Sequence, residues 1–201
     1  MLDRPVIALL RPALQRGALV LRRWGVGADA VTWTGFAIGL AAAVAIANSA
    51  YTIGLVLLLA SRLCDGLDGA VARLTQPTNR GAFLDIALDF IFYASIPLAF
   101  AIGSPAERAL PAATLLAAFI GTGSSFLAYA VFAERQGLHS EDYPNKGIFY
   151  LGGFTEATET LICFVLMCVL PEHFAWWAYG FAFLCALTIG TRLLAGWRSF
   201  G

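Results

Sequence analysis

Charge is what this chain has least of. Only 13% of its 201 residues are Asp, Glu, Lys or Arg, against about 25% in an average soluble domain. The two signs also cancel to a formal net charge of zero. So little charge argues against a water-soluble surface, and without a basic tract no nucleic-acid partner is expected. Histidine is scarce as well: His139 and His173 stand alone in connecting segments, which excludes a histidine-built metal or nucleophile constellation. The four cysteines, Cys64, Cys163, Cys168 and Cys185, lie in apolar runs without a CxxC pair. They read as small buried hydrophobes rather than disulfide or zinc partners. No apolar core followed by a small-residue cleavage site marks a leader peptide. No internal repeat or pair of interrupted helices suggests an alternating-access transporter. The glycine-rich "GTGSSF" lacks the lysine and strand-to-helix setting of a phosphate loop, and reads as a place of close helix approach.

What is present is apolar sequence, 59% of the residues. A bilayer span needs roughly 20 mainly apolar residues. Six segments qualify, at about 30–49, 52–73, 81–103, 110–133, 148–170 and 174–196. The expectation is an all-α polytopic membrane protein forming a single domain over 1–201, with a six-helix bundle at 30–196 and a separate amino-terminal segment at 1–26. That segment is too charged to cross a bilayer, but its residues segregate. At about 100° per residue, Val6, Leu10, Leu14, Leu21 and Trp24 fall within an arc of roughly 80°, with Arg4, Arg11 and Arg22 nearly opposite. This is the pattern of an interfacial helix whose arginines meet lipid phosphates, and Pro12 predicts a kink in it. Trp24, Trp33, Trp176, Trp177 and Trp197 sit near span ends, as interfacial anchors do.

Lys and Arg give the orientation. The amino-terminal segment and the second-to-third and fourth-to-fifth loops hold most of them, together with Arg198 in the tail. The opposite side has only Arg108. Both termini and the loop around Pro77 are therefore expected on the cytoplasmic side.

Around that loop runs "DGLDGAVARLTQPTNRGAFLDIALD", residues 65–89. Its two helices form an antiparallel hairpin centred near Pro77. Asp65 and Asp89 are each 12 residues from the centre, and Asp68 and Asp85 are 9 and 8 away. Within each helix the spacing is i, i+3 or i, i+4, so each pair shares a face and four carboxylates can converge. An acidic side chain in a bilayer interior costs about 2.5–3.5 kcal/mol on insertion scales. Four unpaired ones would cost on the order of 10 kcal/mol, comparable to the stability of a whole domain, so they must be neutralised or wetted. Arg62, at i+3 from Asp65, can pair with one of them. Oxygen-only ligands favour Mg²⁺, Mn²⁺ or Ca²⁺. Four Asp can hold two ions, the arrangement that clamps attacking and leaving oxygens in phosphoryl transfer. Gly66, Gly69, Ala70 and Ala72 leave the helix nearly bare beside the acids, with room for close packing or a flat ligand. Arg73 can meet a phosphate, and Gly81 begins the next helix, where backbone N–H groups favour anions.

The string Asp65-x₂-Asp68-Gly69-x₂-Ala72-Arg73-x₇-Gly81-x₃-Asp85-x₃-Asp89 matches every position of the signature of the CDP-alcohol phosphotransferases, also called CDP-alcohol phosphatidyltransferases. The six-span layout extends this resemblance over nearly the whole chain, toward a branch of small bacterial inner-membrane members. The resemblance implies a homodimeric membrane enzyme with an interfacial amino-terminal helix and a cavity facing the cytoplasm. It implies transfer of a substituted phosphate from a CDP-linked lipid donor, CDP-diacylglycerol above all, to an alcohol, with release of CMP. By the same token Asp65, Asp68 and Asp85 would ligate Mg²⁺ or Mn²⁺, with two ions expected. Asp89 would contact the second ion and act as general base on the acceptor hydroxyl. Gly69, Ala72 and Gly81 would shape the cytidine pocket, with Arg73 close by. The family's Pro-Asn-x-x-Thr segment reads Ala28-Asp29-Ala30-Val31-Thr32 here, leaving Asp29 and Thr32 to assist the nucleotide.

For the acceptor, the fifth span offers "NKGIFYLGGFTEATET". Read as one helix, it puts Glu156 and Glu159 about 15 Å below Lys146, at a depth similar to Asp65 and Asp89. With Lys146 at the mouth and Arg192 in the last span, two glutamates favour a polyol or amino alcohol as the small polar acceptor. A phosphorylated acceptor, such as glycerol 3-phosphate or inositol phosphate, is the alternative. A structural role for the glutamates, paired with Arg192, is a third possibility. From a different functional class, intramembrane carboxylates can also mark a divalent-cation transport path.

Overall fold

The computed structural model describes residues 3–137 and 153–200, and among these every regular element is helical. Helix α1 spans Asp3–Arg23, α2 Ala28–Ala47, α3 Tyr51–Leu74, α4 Asn79–Gly103, α5 Pro105–Arg135, α6 Ala157–Val169 and α7 Phe174–Phe200. A 3₁₀ turn, Pro171–His173, links the last two. Four of the helices (α2, α4, α5 and the α7 stretch with its leading turn) are long and apolar enough to cross a bilayer. Helix α3 is 24 residues long and carries Arg62, Asp65, Asp68 and Arg73, while α6 is apolar but has 13 residues.

The core lies at the level where aromatic and branched residues from α2, α3, α4, α5, α6 and α7 meet. Ile46, Leu58, Phe92, Ile96, Phe100, Leu115, Phe164, Met167 and Phe174 are fully enclosed there. Small residues let α2 lie directly on its neighbours. A Cβ on Gly35 would come within 2.7 Å of Cys64 Cβ, and one on Gly39 within 2.6 Å of Phe92 Cδ2. Fully buried Ser61 locks this seam, its Oγ donating to Gly35 O at 2.7 Å. Away from the core, Val44, Ile53, Val56, Ile91, Ile120 and Leu193 are exposed, the outward apolar surface a lipid-facing bundle presents.

Arg108 fastens the end of the bundle where α3 begins. Its Nη1 donates to Tyr51 Oη at 2.6 Å and its Nη2 to Pro171 O at 3.0 Å, joining α3, α5 and the 3₁₀ turn. At the other end α1 packs on α3, with Leu14, Ala18 and Leu21 against Ala70, Val71 and Leu74. Helix α1 runs through Pro12 without a break. The expected kink does not divide it. Leu10 and Trp24, on the arc read as apolar, remain exposed at 40% and 76%, so only part of that arc is used against α3.

The fifth segment departs from the single helix expected at 148–170. Helix α6 starts only at Ala157, and Gly153, Phe154, Thr155 and Glu156 precede it in non-helical backbone. The physical cause is Thr188 on α7, which is fully buried. Its Oγ1 accepts from Phe154 N at 3.1 Å and Thr155 N at 3.2 Å, and donates to Leu184 O at 3.1 Å. Those N–H groups are thereby taken from any preceding helical turn. Gly153 fits because a Cβ there would lie 2.4 Å from Thr188 Cγ2. Thr188→Val should strand two partly buried donors at about 1–3 kcal/mol each. A lower unfolding midpoint, followed by tryptophan fluorescence in detergent, is the expected outcome. An unchanged midpoint would show that this segment is held by other contacts.

Candidate active site

Four carboxylates gather in the halves of α3 and α4 nearest their connecting turn, where α2 packs against both helices. One oxygen from each of Asp65, Asp68 and Asp85 lies within 4.8 Å of the others. Asp68 is buried, Asp65 half-buried and Asp85 exposed, so the cluster opens to one side. Asp89 joins the same cleft, which is also lined by Thr32, Gly35, Phe36, Ser61, Arg62 and Leu88. The donor set fits a hard divalent cation: all oxygen, three carboxylates in reach of one point, and Asp68 Oδ2 buried without a hydrogen-bond partner among the described residues.

Arg62 does more than the sequence suggested. Its Nη1 sits 3.3 Å from Asp65 Oδ1, the i, i+3 pair, but also 2.7 Å from Asp89 Oδ1 across the hairpin. The guanidinium carbon lies 3.9 Å from the centre of the Phe92 ring. One arginine therefore faces two of the four acids. Its spacing to Asp65 was the sequence signal, whereas the bond to Asp89 depends on how α3 and α4 are rotated against each other.

The remaining expected residues fall into groups. Gly69 and Arg73 belong together, because the Arg73 Nη1 folds back to 3.3 Å from where a Gly69 Cβ would stand. Gly66 faces the other way, toward Leu14 of α1, with a Cβ there 3.1 Å from Leu14 Cδ1. It serves the α1 contact rather than the cleft. Ala72 is partly buried on the same helix. Asp29, at the start of α2, is held by Arg80 Nη2 from the first turn of α4, beside Gly81. The Gly81 N–H donates to Thr78 Oγ1 at 3.0 Å, as part of the α4 cap. It is already satisfied there instead of pointing at an anion.

Glu156 and Glu159 have structural partners in full view. Glu156 is the N-cap of α6, and the two form a reciprocal capping box. The Glu156 N–H donates to Glu159 Oε2 at 3.2 Å, and Gly153 N donates to Glu156 Oε1 at 3.3 Å. The depth argument that put both inside a continuous helix is corrected accordingly. Arg192 on α7 is buried, with Nη1 donating to Thr122 O at 2.9 Å. Neither glutamate nor Arg192 lines the aspartate cleft, and Lys146 lies outside the described residues. Glu156→Ala should cost about 1 kcal/mol of stability, as loss of an N-cap does, while leaving the acceptor KM unchanged. A selective rise in that KM would return Glu156 to the substrate.

A helical bundle whose aspartate cleft is walled by α2, α3 and α4 defines the class. The match to the CDP-alcohol phosphatidyltransferase family covers residues 26–190, and the chain belongs to that family of membrane-associated transferases. It is 46% identical over 197 residues to the inner membrane protein YnjF of Escherichia coli strain K12, covering 98% of this chain and 96% of that one. It is also 38% identical over 90 residues to archaetidylinositol phosphate synthase of Methanothermobacter thermautotrophicus, 44% of this chain and 46% of the relative. Among solved structures it resembles phosphatidylinositol phosphate synthase (PgsA1) of Mycobacterium tuberculosis. With CDP-DAG bound, that protein superposes with a TM-score of 0.69 at 22% identity over 92% of this chain and 93% of the other. Its complex with manganese and citrate gives 0.69 at 24% identity, over 92% and 88%. At these identities the likeness speaks for the fold.

Proposed function

We propose that the protein transfers a phosphatidyl group from CDP-diacylglycerol to the hydroxyl of a small polar alcohol, releasing CMP. The observation that carries this is the meeting of Asp65, Asp68 and Asp85 within 4.8 Å, with Asp89 in the same cleft, in a chain of this family. In the proposal the three acids would hold Mg²⁺ or Mn²⁺, and a cation bound there would supply charge stabilisation for the donor's pyrophosphate. Asp89 completes the place of a second ion and removes the acceptor's proton. Gly69, Ala72, Arg73 and Gly81 form the nucleotide site, with Thr32 at the cleft wall and Asp29 bearing on it through Arg80. Residues 1–201 act as one domain with six spans, α2 to α7, and α1 lies in the interface. Both termini and the cleft face the cytoplasm of a bacterial inner membrane, and the family's usual homodimer is the working assembly. The distribution of Lys and Arg supports that orientation.

Glu156 and Glu159 cap α6 and still carry their charge, and the acceptor class proposed is a polyol or an amino alcohol. A second reading, a phosphorylated polyol, draws support from the name of the Methanothermobacter relative, an archaetidylinositol phosphate synthase. The test is CMP release by purified protein given CDP-diacylglycerol, Mg²⁺ or Mn²⁺, and a panel of free and phosphorylated polyols and amino alcohols. CMP formation with one acceptor class is the expected result. No CMP with any acceptor, alongside metal flux into liposomes, would replace the enzyme reading with a cation-transport one.

A further inference from the structure

Arg62 is the one cation that reaches into the aspartate cleft among its described lining residues. Its guanidinium sits at 2.7 Å from Asp89 and 3.3 Å from Asp65, with its Nη2 3.4 Å from Ser61 Oγ. The side chain is 13% exposed. It is wedged against the ring of Phe92, with Tyr93 5.5 Å away. This is a built position, on a stiff helix and backed by aromatic rings, unlike a mobile surface arginine. Asp89 is also the carboxylate that does not belong to the close cluster of three. Three acids converge on one point, and the protein's own cation sits at the edge of that cluster, bound to the fourth acid at 2.7 Å and reaching Asp65 at 3.3 Å.

We propose that Arg62 is a positioning residue that stands in for the charge of a second divalent ion, so that the substrate-free protein takes up one ion only. The inference rests on the metal-cradle reading above. A divalent cation beside Asp89 would be repelled by the guanidinium and would have to compete with it for the carboxylate. Arg62 thus holds Asp89 in place toward the cleft, while the second ion requires additional negative charge. The pyrophosphate of a CDP-linked donor supplies charge of that kind.

The experiment is Mn²⁺ binding, counted by electron paramagnetic resonance of free Mn²⁺, on the full-length protein in nanodiscs, with and without CDP as probe. Wild type should bind one Mn²⁺ tightly without CDP and a second when CDP is present. Arg62→Met should gain the second ion without CDP, its affinity rising at least tenfold, and Arg62→Lys should restore the wild-type count. Two equal ions in CDP-free wild type, or an Arg62→Met titration superimposable on wild type, would overturn the proposal. Should Arg62→Met fail to fold, Asp89→Asn tests the cluster of three. It should keep the first ion within threefold of wild type, and loss of that ion would overturn the division into three acids and one. Absence of any Mn²⁺ binding by wild type would overturn the metal reading itself, and this inference with it.

Discussion

Asp68→Asn should abolish both Mn²⁺ binding and CMP release. Asp68 is the most enclosed of the clustered acids, 6% exposed, and its Oδ2 has no hydrogen-bond partner among the described residues. A buried carboxylate oxygen left open in this way costs free energy that a cation would recover. An amide has the same shape but no charge, and its NH₂ would aim a donor at the point where Asp65 and Asp85 converge. Metal affinity should fall by at least a hundredfold, and turnover to the level of a no-enzyme control. The protein itself should not lose stability, because the substitution removes one charge from a group of like charges. Its unfolding midpoint without metal should match or exceed that of wild type. Retained Mn²⁺ binding with lost activity would move Asp68 from ligand to substrate contact.

Asp89→Asn should separate chemistry from metal binding. Asp89 lies in the cleft but outside the cluster of three, and it accepts a hydrogen bond from Arg62. An asparagine can still accept from that guanidinium through its Oδ1, so the α3–α4 contact is kept, but it cannot take a proton. Loss of a general base typically costs about 10²–10⁴ in rate. The expected result is a fall in kcat of that size, with the KM for the CDP-linked donor changed little. A mutant that turns over at the wild-type rate would remove Asp89 from the role of base. Equal damage to kcat and to tight Mn²⁺ binding would instead make it a fourth ligand of the same ion.

The two acid-bearing helices and the faces that carry their acids were legible before any coordinates, whereas the packing of α2 against both of them was not. Hydrophobic run length marked α2, α4, α5 and α7, and the i, i+3 and i, i+4 spacings placed Asp65, Asp68, Asp85 and Asp89 on facing sides. These are short-range properties: the rise and twist of a helix convert sequence offsets directly into positions on a face. The same arithmetic failed at "LGGFTEATET", where a helix was read through Glu156. There the outcome hung on Thr188, more than thirty positions away in the chain, which draws backbone N–H groups out of the helical pattern. Of the two uses open to Gly66, close packing or a flat ligand, spacing could not choose, and the structure gives packing against Leu14 of α1.

From residue spacing alone came an all-helical membrane chain, a hairpin with four acids on its inner side, and the family signature they spell. Local geometry and hydropathy depend on neighbours within a turn or a span, and those are written in the order of residues. The tertiary structure decided what those acids face. It set Arg62 between Asp65 and Asp89, tied Asp29 to Arg80, and turned Glu156 and Glu159 into the cap of α6. The cap of α6 depends on the hold that Thr188 of α7 has on the backbone before it. The bonds from Arg62 to Asp89 and from Arg80 to Asp29 depend on the rotation and depth of one helix against another. A shift of about one residue, or 1.5 Å along the axis and 100° around it, would send the same side chain to a different partner.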